Sequence, residues 1–231
     1  MTMTHSPAYS TFQASKTIGY EQWHDGIGYD LEAFEQMTQP ERDAETEAAA
    51  ALEDPDWRDI EILGAHGGKK YYARLRDLLT HSSIETRAQA LGTLIDHDQT
   101  PGSVADVQLA HIIDAIDNDD DEGMTQALLL AEEHAGPRSK LAMLRGAQEK
   151  PALSLHFASA LLDMAGLSDD MAAFDPKFRP LLLRLLPDND EADRKAAFKA
   201  VCKLLGIDPK SIPAPGSGKE LAWAERTWPR Q

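Results

Sequence analysis

The chain is 231 residues long, with 39 acidic against 23 basic side chains, a formal charge of −16 and a single cysteine. A chain of this size buries the core of one or two domains, and its composition excludes collagen, a disulfide-stapled scaffold and a wholly disordered chain. The charge is uneven: residues 1–60 hold 3 basic and 13 acidic side chains, residues 61–136 hold 5 and 14, and residues 137–231 hold 15 and 12. An acidic surface over the first 136 residues repels nucleic acid and anionic membranes and attracts a basic protein, although acidity also serves solubility alone.

Residues 1–17, rich in Ser, Thr and Ala, predict a flexible N-terminus without the apolar core of a signal peptide. No window approaches 18 consecutive apolar residues, so no membrane span is expected and a cytoplasmic location is the simplest reading. Residues 18–64 are expected to form an N-terminal helical cap. Within it, Gly26-Ile27-Gly28 between Trp23 and Tyr29 predicts a tight turn, with a ligand-contacting loop as the alternative. Asp30 is placed as the N-cap of a helix over 31–37, and Thr38-Gln39-Pro40-Glu41 as the capping box of a second helix ending near residue 53.

From Asp56 onward, apolar residues recur at three and four, as in Leu75, Leu78 and Leu79 or Ile112, Ile113 and Ile116. They predict helices at about 56–63, 69–80, 83–96, 103–116, 121–134, 137–148, 151–165, 176–186, 189–205 and 218–227. The breaks are turn chemistry, such as Gly64-Ala65-His66-Gly67-Gly68 and Gly136-Pro137. No alternating β-branched run argues a sheet, so the fold class is all-α.

The helices come in similar pairs. Thr86-Arg87-Ala88-Gln89-Ala90-Leu91 has a counterpart in Asp193-Arg194-Lys195-Ala196-Ala197-Phe198, where each Arg is followed three residues later by Ala. Arg87 and Arg194 lie 107 residues apart, about three periods of roughly 36. This pattern resembles the HEAT-like α-solenoid family over residues 69–205. It departs from that family in having Thr and Asp where the family prefers Val, and in lacking the Arg in the two middle pairs. The resemblance implies a right-handed stack of helical hairpins over residues 65–205, capped by 18–64 and followed by a C-terminal tail, 206–231, with a short helix. An irregular helical bundle is the alternative.

Asp117-Asn118-Asp119-Asp120-Asp121-Glu122-Gly123 imitates the start of a calcium loop, but the twelfth position is Leu129, where a bidentate acid is required. It reads instead as an inter-helix loop, or as a patch for a basic partner. His111 and Asp114 are spaced to share a helix face, yet no further metal ligands declare themselves. Cys202 sits in a helical apolar run and reads as a buried inert thiol. Hydrolase, phosphate-loop and dinucleotide motifs do not occur. One of Tyr71 and Tyr72 should face the core and the other a partner.

The expectation is therefore a non-catalytic binding module without cofactor or metal, which sequesters a basic protein, in one version as an immunity protein or antitoxin against a toxin or nuclease domain. Its candidate partner-binding residues are Asp114, Asp117, Asp119, Asp120, Asp121, Glu122, Tyr71 and Tyr72. The alternatives are an assembly scaffold or adaptor, or a HEAT-like enzyme of glycosylase or lyase type, which would need a basic concave face.

Overall fold

The computed structural model describes residues 5–17, 27–117, 123–168 and 171–228. The protein is all-helical, with no strand among the described residues. The N-terminal stretch expected to be loose holds a helix, α1 (Pro7–Ser15). Ser6 caps it, its hydroxyl accepting from the Tyr9 amide at 3.1 Å, and Pro7 opens the first turn. Phe12, fully buried, packs between Tyr29 and Phe34 at ring distances of 5.7 and 5.2 Å.

Helices α2 (Leu31–Gln36) and α3 (Gln39–Ala51) begin where expected. Asp30 accepts from the Ala33 amide at 2.8 Å, and Glu41 reaches back to the Thr38 amide at 3.0 Å. Helix α4 (Trp57–Gly67) starts on a capping box in which Asp56 accepts from Arg58 and Asp59 and Asp59 accepts from the Asp56 amide. It runs through the glycines expected to break it. A Cβ on Gly64 would meet Thr93 Cγ2 at 2.8 Å, so this glycine lets the helix that carries Thr93 approach rather than ending α4. Gly68, at φ +51°, makes the turn.

A 3-10 turn (Gly68–Tyr71) leads into α5 (Tyr72–Leu78), followed by α6 (Ile84–Asp96), α7 (Gly102–Ala115), α8 (Met124–His134), α9 (Pro137–Glu149) and α10 (Ser154–Met164). The helix expected over 176–186 is a single α-turn, α11 (Arg179–Leu182), continued as a 3-10 turn; Pro180 is tolerated there because it lies in the first turn. Helix α12 (Glu191–Leu204) and α13 (Glu220–Thr227) complete the chain.

Two cores lie on either side of α6. Phe12, Phe34, Ile60, Leu63 and Leu75 form the first with Ala90 and Leu94; Leu109, Ile113, Met143, Phe157 and Trp223 belong to the second with Ala88 and Leu91. Helix α5 packs on α6, α7 on α8 and α9 on α10, while α7 also lies along α9 and α6 along α8. Helices α7 and α9 are side by side and parallel, because each supplies an end group to the other. Asp106 of α7 accepts from the first-turn amides of α9, and Lys150 at the end of α9 donates to the last carbonyls of α7. Gly123, at φ +74°, brings the start of α8 against the backbone of Ile84 and Glu85 at the start of α6, too close for any Cβ.

Candidate interaction surface

The sequence Glu41-Arg42-Asp43-Ala44-Glu45-Thr46-Glu47 spaces four acids two apart, which on a helix of 3.6 residues per turn sends alternate ones to opposite faces. The inner row is structural. Glu41 accepts from the backbone amide and the hydroxyl of Ser6, both at 2.8 Å, and Glu45 accepts from Gln13 at 2.7 Å and pairs with Lys16. These contacts fasten α1 to α3. The Ser6 amide bond, with the Ser6 and Thr38 hydroxyls, holds the Glu41 carboxyl down to about 2.

The outer row faces solvent. Asp43 meets His66 at 3.0 Å and Glu47 pairs with Lys70, contacts that keep both carboxyls below their usual range. Glu32, Glu35, Glu53 and Asp54 are also exposed, and the Glu35 and Glu53 carboxylates have no partner among the described residues. This region, between residues 32 and 54, presents six exposed carboxylates on two helices and one loop.

Of the residues singled out in the sequence, Tyr71 is 8% exposed and belongs to the first core, with Lys70 Nζ 5.2 Å from its ring centre. Tyr72 is half-buried against the same core, its ring 5.9 Å from that of His97. Asp114 and Asp117 are exposed near the end of α7, beside the second core. The structure does not bring the tyrosines and these aspartates into one site, since they belong to different cores. Asp119, Asp120, Asp121 and Glu122 lie outside the described residues, as do Trp23 and Gly26.

Asp114 and His111 line a cleft of about 560 Å³ between α7, α9 and the loop before α13, together with Arg138, Arg145 and Glu220. Desolvation raises the Asp114 carboxyl, with Lys150, Arg145 and His111 opposing it. Desolvation likewise lowers Lys150, whose ammonium caps α7 through the carbonyls of Asp114 at 2.7 Å and Ile116 at 2.5 Å. Arg145 is engaged by the tail: its guanidinium donates twice to the Pro213 carbonyl, at 2.8 and 3.2 Å, and lies 3.8 Å from Glu220.

Sequence reasoning did not find a half-buried ionisable group at the start of α4. Tyr29 donates to Asp59 at 3.1 Å and lies under the Arg58 guanidinium at 4.8 Å. Burial raises Tyr29, Asp59 and Glu61, and the neighbouring Asp56 charge raises all three further. Perturbed acids mark candidate chemistry, but Asp56 and Asp59 are occupied by the capping box and anchor the 27–30 segment. No three His, Cys, Asp or Glu side chains converge as a metal site requires, among the described residues. Cys202 is fully buried, and burial pushes its thiol up to about 12. No helix among the described residues is long and apolar enough to cross a membrane.

Comparison with protein-family profiles, characterised proteins and solved structures yields no match.

Proposed function

We propose that this chain is a non-catalytic binding module, a HEAT-like stack of helical hairpins that sequesters a basic protein partner on its acidic N-terminal surface. The observation that carries this reading is the division of labour on α3: the inner carboxylates fasten α1, and the outer ones, paired with His66 and Lys70, stay exposed beside Glu32, Glu35, Glu53 and Asp54. Such a surface steers a cationic partner and speeds its capture. Neutralisation of a basic toxin or nuclease domain is the form of this activity that fits best, with an assembly adaptor as its nearest rival.

Two features support the hairpin-stack reading. The matched arginines make the same contact, Arg87 donating to the Ser82 carbonyl and Arg194 to the Asn189 carbonyl, each five residues back in the loop before its own helix. The parallel pairing of α7 with α9 is also what successive first helices of stacked hairpins require. An enzyme acting on nucleic acid would need a basic concave face; of the cations in residues 137–231, Arg145, Lys150, Arg184 and Arg194 are engaged by backbone carbonyls or by Asp193.

The test is affinity capture from the source lysate by the native chain and by a Glu32→Lys, Glu35→Lys, Glu53→Lys variant, at low and high salt. One basic protein recovered stoichiometrically by the native chain, and lost with the variant or with salt, supports the proposal; assay of that protein for toxicity separates neutralisation from scaffolding. Capture indifferent to the reversal, or none at either salt, overturns it.

A further inference from the structure

At the other end of the molecule the charge inverts. The 3-10 turn Pro209–Ser211, the loop over 212–219 and α13 enclose a cleft of about 510 Å³. Among the described residues its polar lining is Lys210, Lys219, Arg226, Ser211 and Ser217, its apolar lining includes Ile212 and Trp223, and no carboxylate lines it. Lys219, Trp223 and Arg226 follow at i, i+4 and i+7 and so share one side of α13, while Lys210 comes from the 3-10 turn. None of the three cations makes a side-chain hydrogen bond or an ion pair among the described residues.

Three cations lining one cleft stand out in a chain of −16, and Glu220, beside Lys219, does not line it. Glu220 lines the neighbouring cleft, 3.8 Å from the Arg145 guanidinium, and its own backbone amide, with the nearby Gly216 amide and the Arg145 charge, keeps its carboxyl below the usual range. Within the apolar lining, the Trp223 indole, 6% exposed, donates to Ser211 Oγ at 3.2 Å. Apolar side chains together with a few polar groups are what a small-molecule pocket needs.

We propose that this cleft binds a small organic phosphate, with its phosphoryl group among Lys210, Lys219 and Arg226 and its apolar body over Ile212 and Trp223. A phosphomonoester carries close to two negative charges near neutral pH, which suits three cations better than a single carboxylate does. The inference is independent of the acidic surface and stands if that reading fails.

The experiment is a titration of the full-length, isotope-labelled chain with phenyl phosphate, followed by the indole N–H resonance of Trp223 and the amides of Ser217 and Lys219. Inorganic phosphate, phenol and a short single-stranded oligonucleotide serve as comparison ligands. The expected result is a saturable shift with phenyl phosphate, competition by inorganic phosphate, and binding about tenfold weaker in Lys210→Gln and in Arg226→Gln. Both residues are exposed, so the variants keep the native spectrum elsewhere. The proposal is overturned by shifts that do not saturate, by phenol acting as well as its phosphate, by variants that bind unchanged, or by tight binding of the oligonucleotide alone, which would mark a polyanion track.

Discussion

Asp106 caps a helix other than its own: its carboxylate accepts the Ser139 amide at 2.9 Å, the Ser139 hydroxyl at 2.8 Å and the Arg138 amide at 3.1 Å. Helix α9 begins Gly136-Pro137, with no capping side chain of its own, so its free first-turn amides are answered from α7. Gly136 is required beside this contact, because a Cβ there would strike the Asp106 carboxylate. Asp106 is 2% exposed, so its removal leaves buried donors unpaired. We expect Asp106→Ala to destabilise the protein by about 2–3 kcal/mol in urea unfolding, and Asp106→Asn by less, since the amide oxygen still accepts. A loss under about 0.5 kcal/mol would show that the α9 amides find water instead.

Legibility in the sequence followed the range of the interactions. The caps at Asp30, Thr38 and Asp56 are local, and each stands where the residues placed a helix start. Helix α1 was missed because its docking depends on Glu41, 35 residues away, and on one buried side chain, Phe12. Gly64 was misread for the same reason, since the need for a small residue comes from Thr93 on α6. Among the candidate site residues, the acidic bias was visible, but not which acids the fold consumes. Glu41 and Glu45 differ from Asp43 and Glu47 only in the face they occupy, and that depends on where α1 lies.

The attachment of α1 carries a pH signature. The Glu41 carboxyl sits near 2 when folded against 4.5 ordinarily, so its contribution is fully present above about 4.5 and is lost as the pH falls toward 2. The backbone amide proton of Ser6, bound directly to Glu41, should therefore shift with a midpoint near 2 in a proton NMR titration. Glu41→Gln should abolish that titration and increase hydrogen exchange at Tyr9. A Ser6 midpoint near 4.5 would mean that the carboxylate is not held by this amide.

Gly146 and Gly123 test two kinds of close approach. A Cβ on Gly146 would lie 2.5 Å from the Phe157 ring, at the contact between α9 and α10. We expect Gly146→Ala to cost about 1–3 kcal/mol by overpacking, partly recovered in combination with Phe157→Leu. Gly123→Ala adds a strained left-handed backbone to a collision with backbone that has no side chain to move, and no second substitution should rescue it. Equal rescue of both variants would contradict this distinction.

Cys202 gives a readout of unfolding that needs no added label. Its thiol is fully buried on α12, packed in the second core, and burial raises it to about 12, so the reactive thiolate is scarce at neutral pH and inaccessible to reagents. A disulfide reagent should leave the native protein unmodified at pH 8 and react stoichiometrically in urea. Under native conditions the rate of modification should be set by opening of the second core. Because α9 contributes Leu141, Met143 and Leu144 to that core, Asp106→Ala, which weakens the start of α9, should raise the rate in proportion to its loss of stability. Glu41→Gln acts on α1 and the first core and should leave it nearly unchanged. If both variants accelerate the reaction equally, the two cores unfold as one cooperative unit and α6 transmits the loss of either.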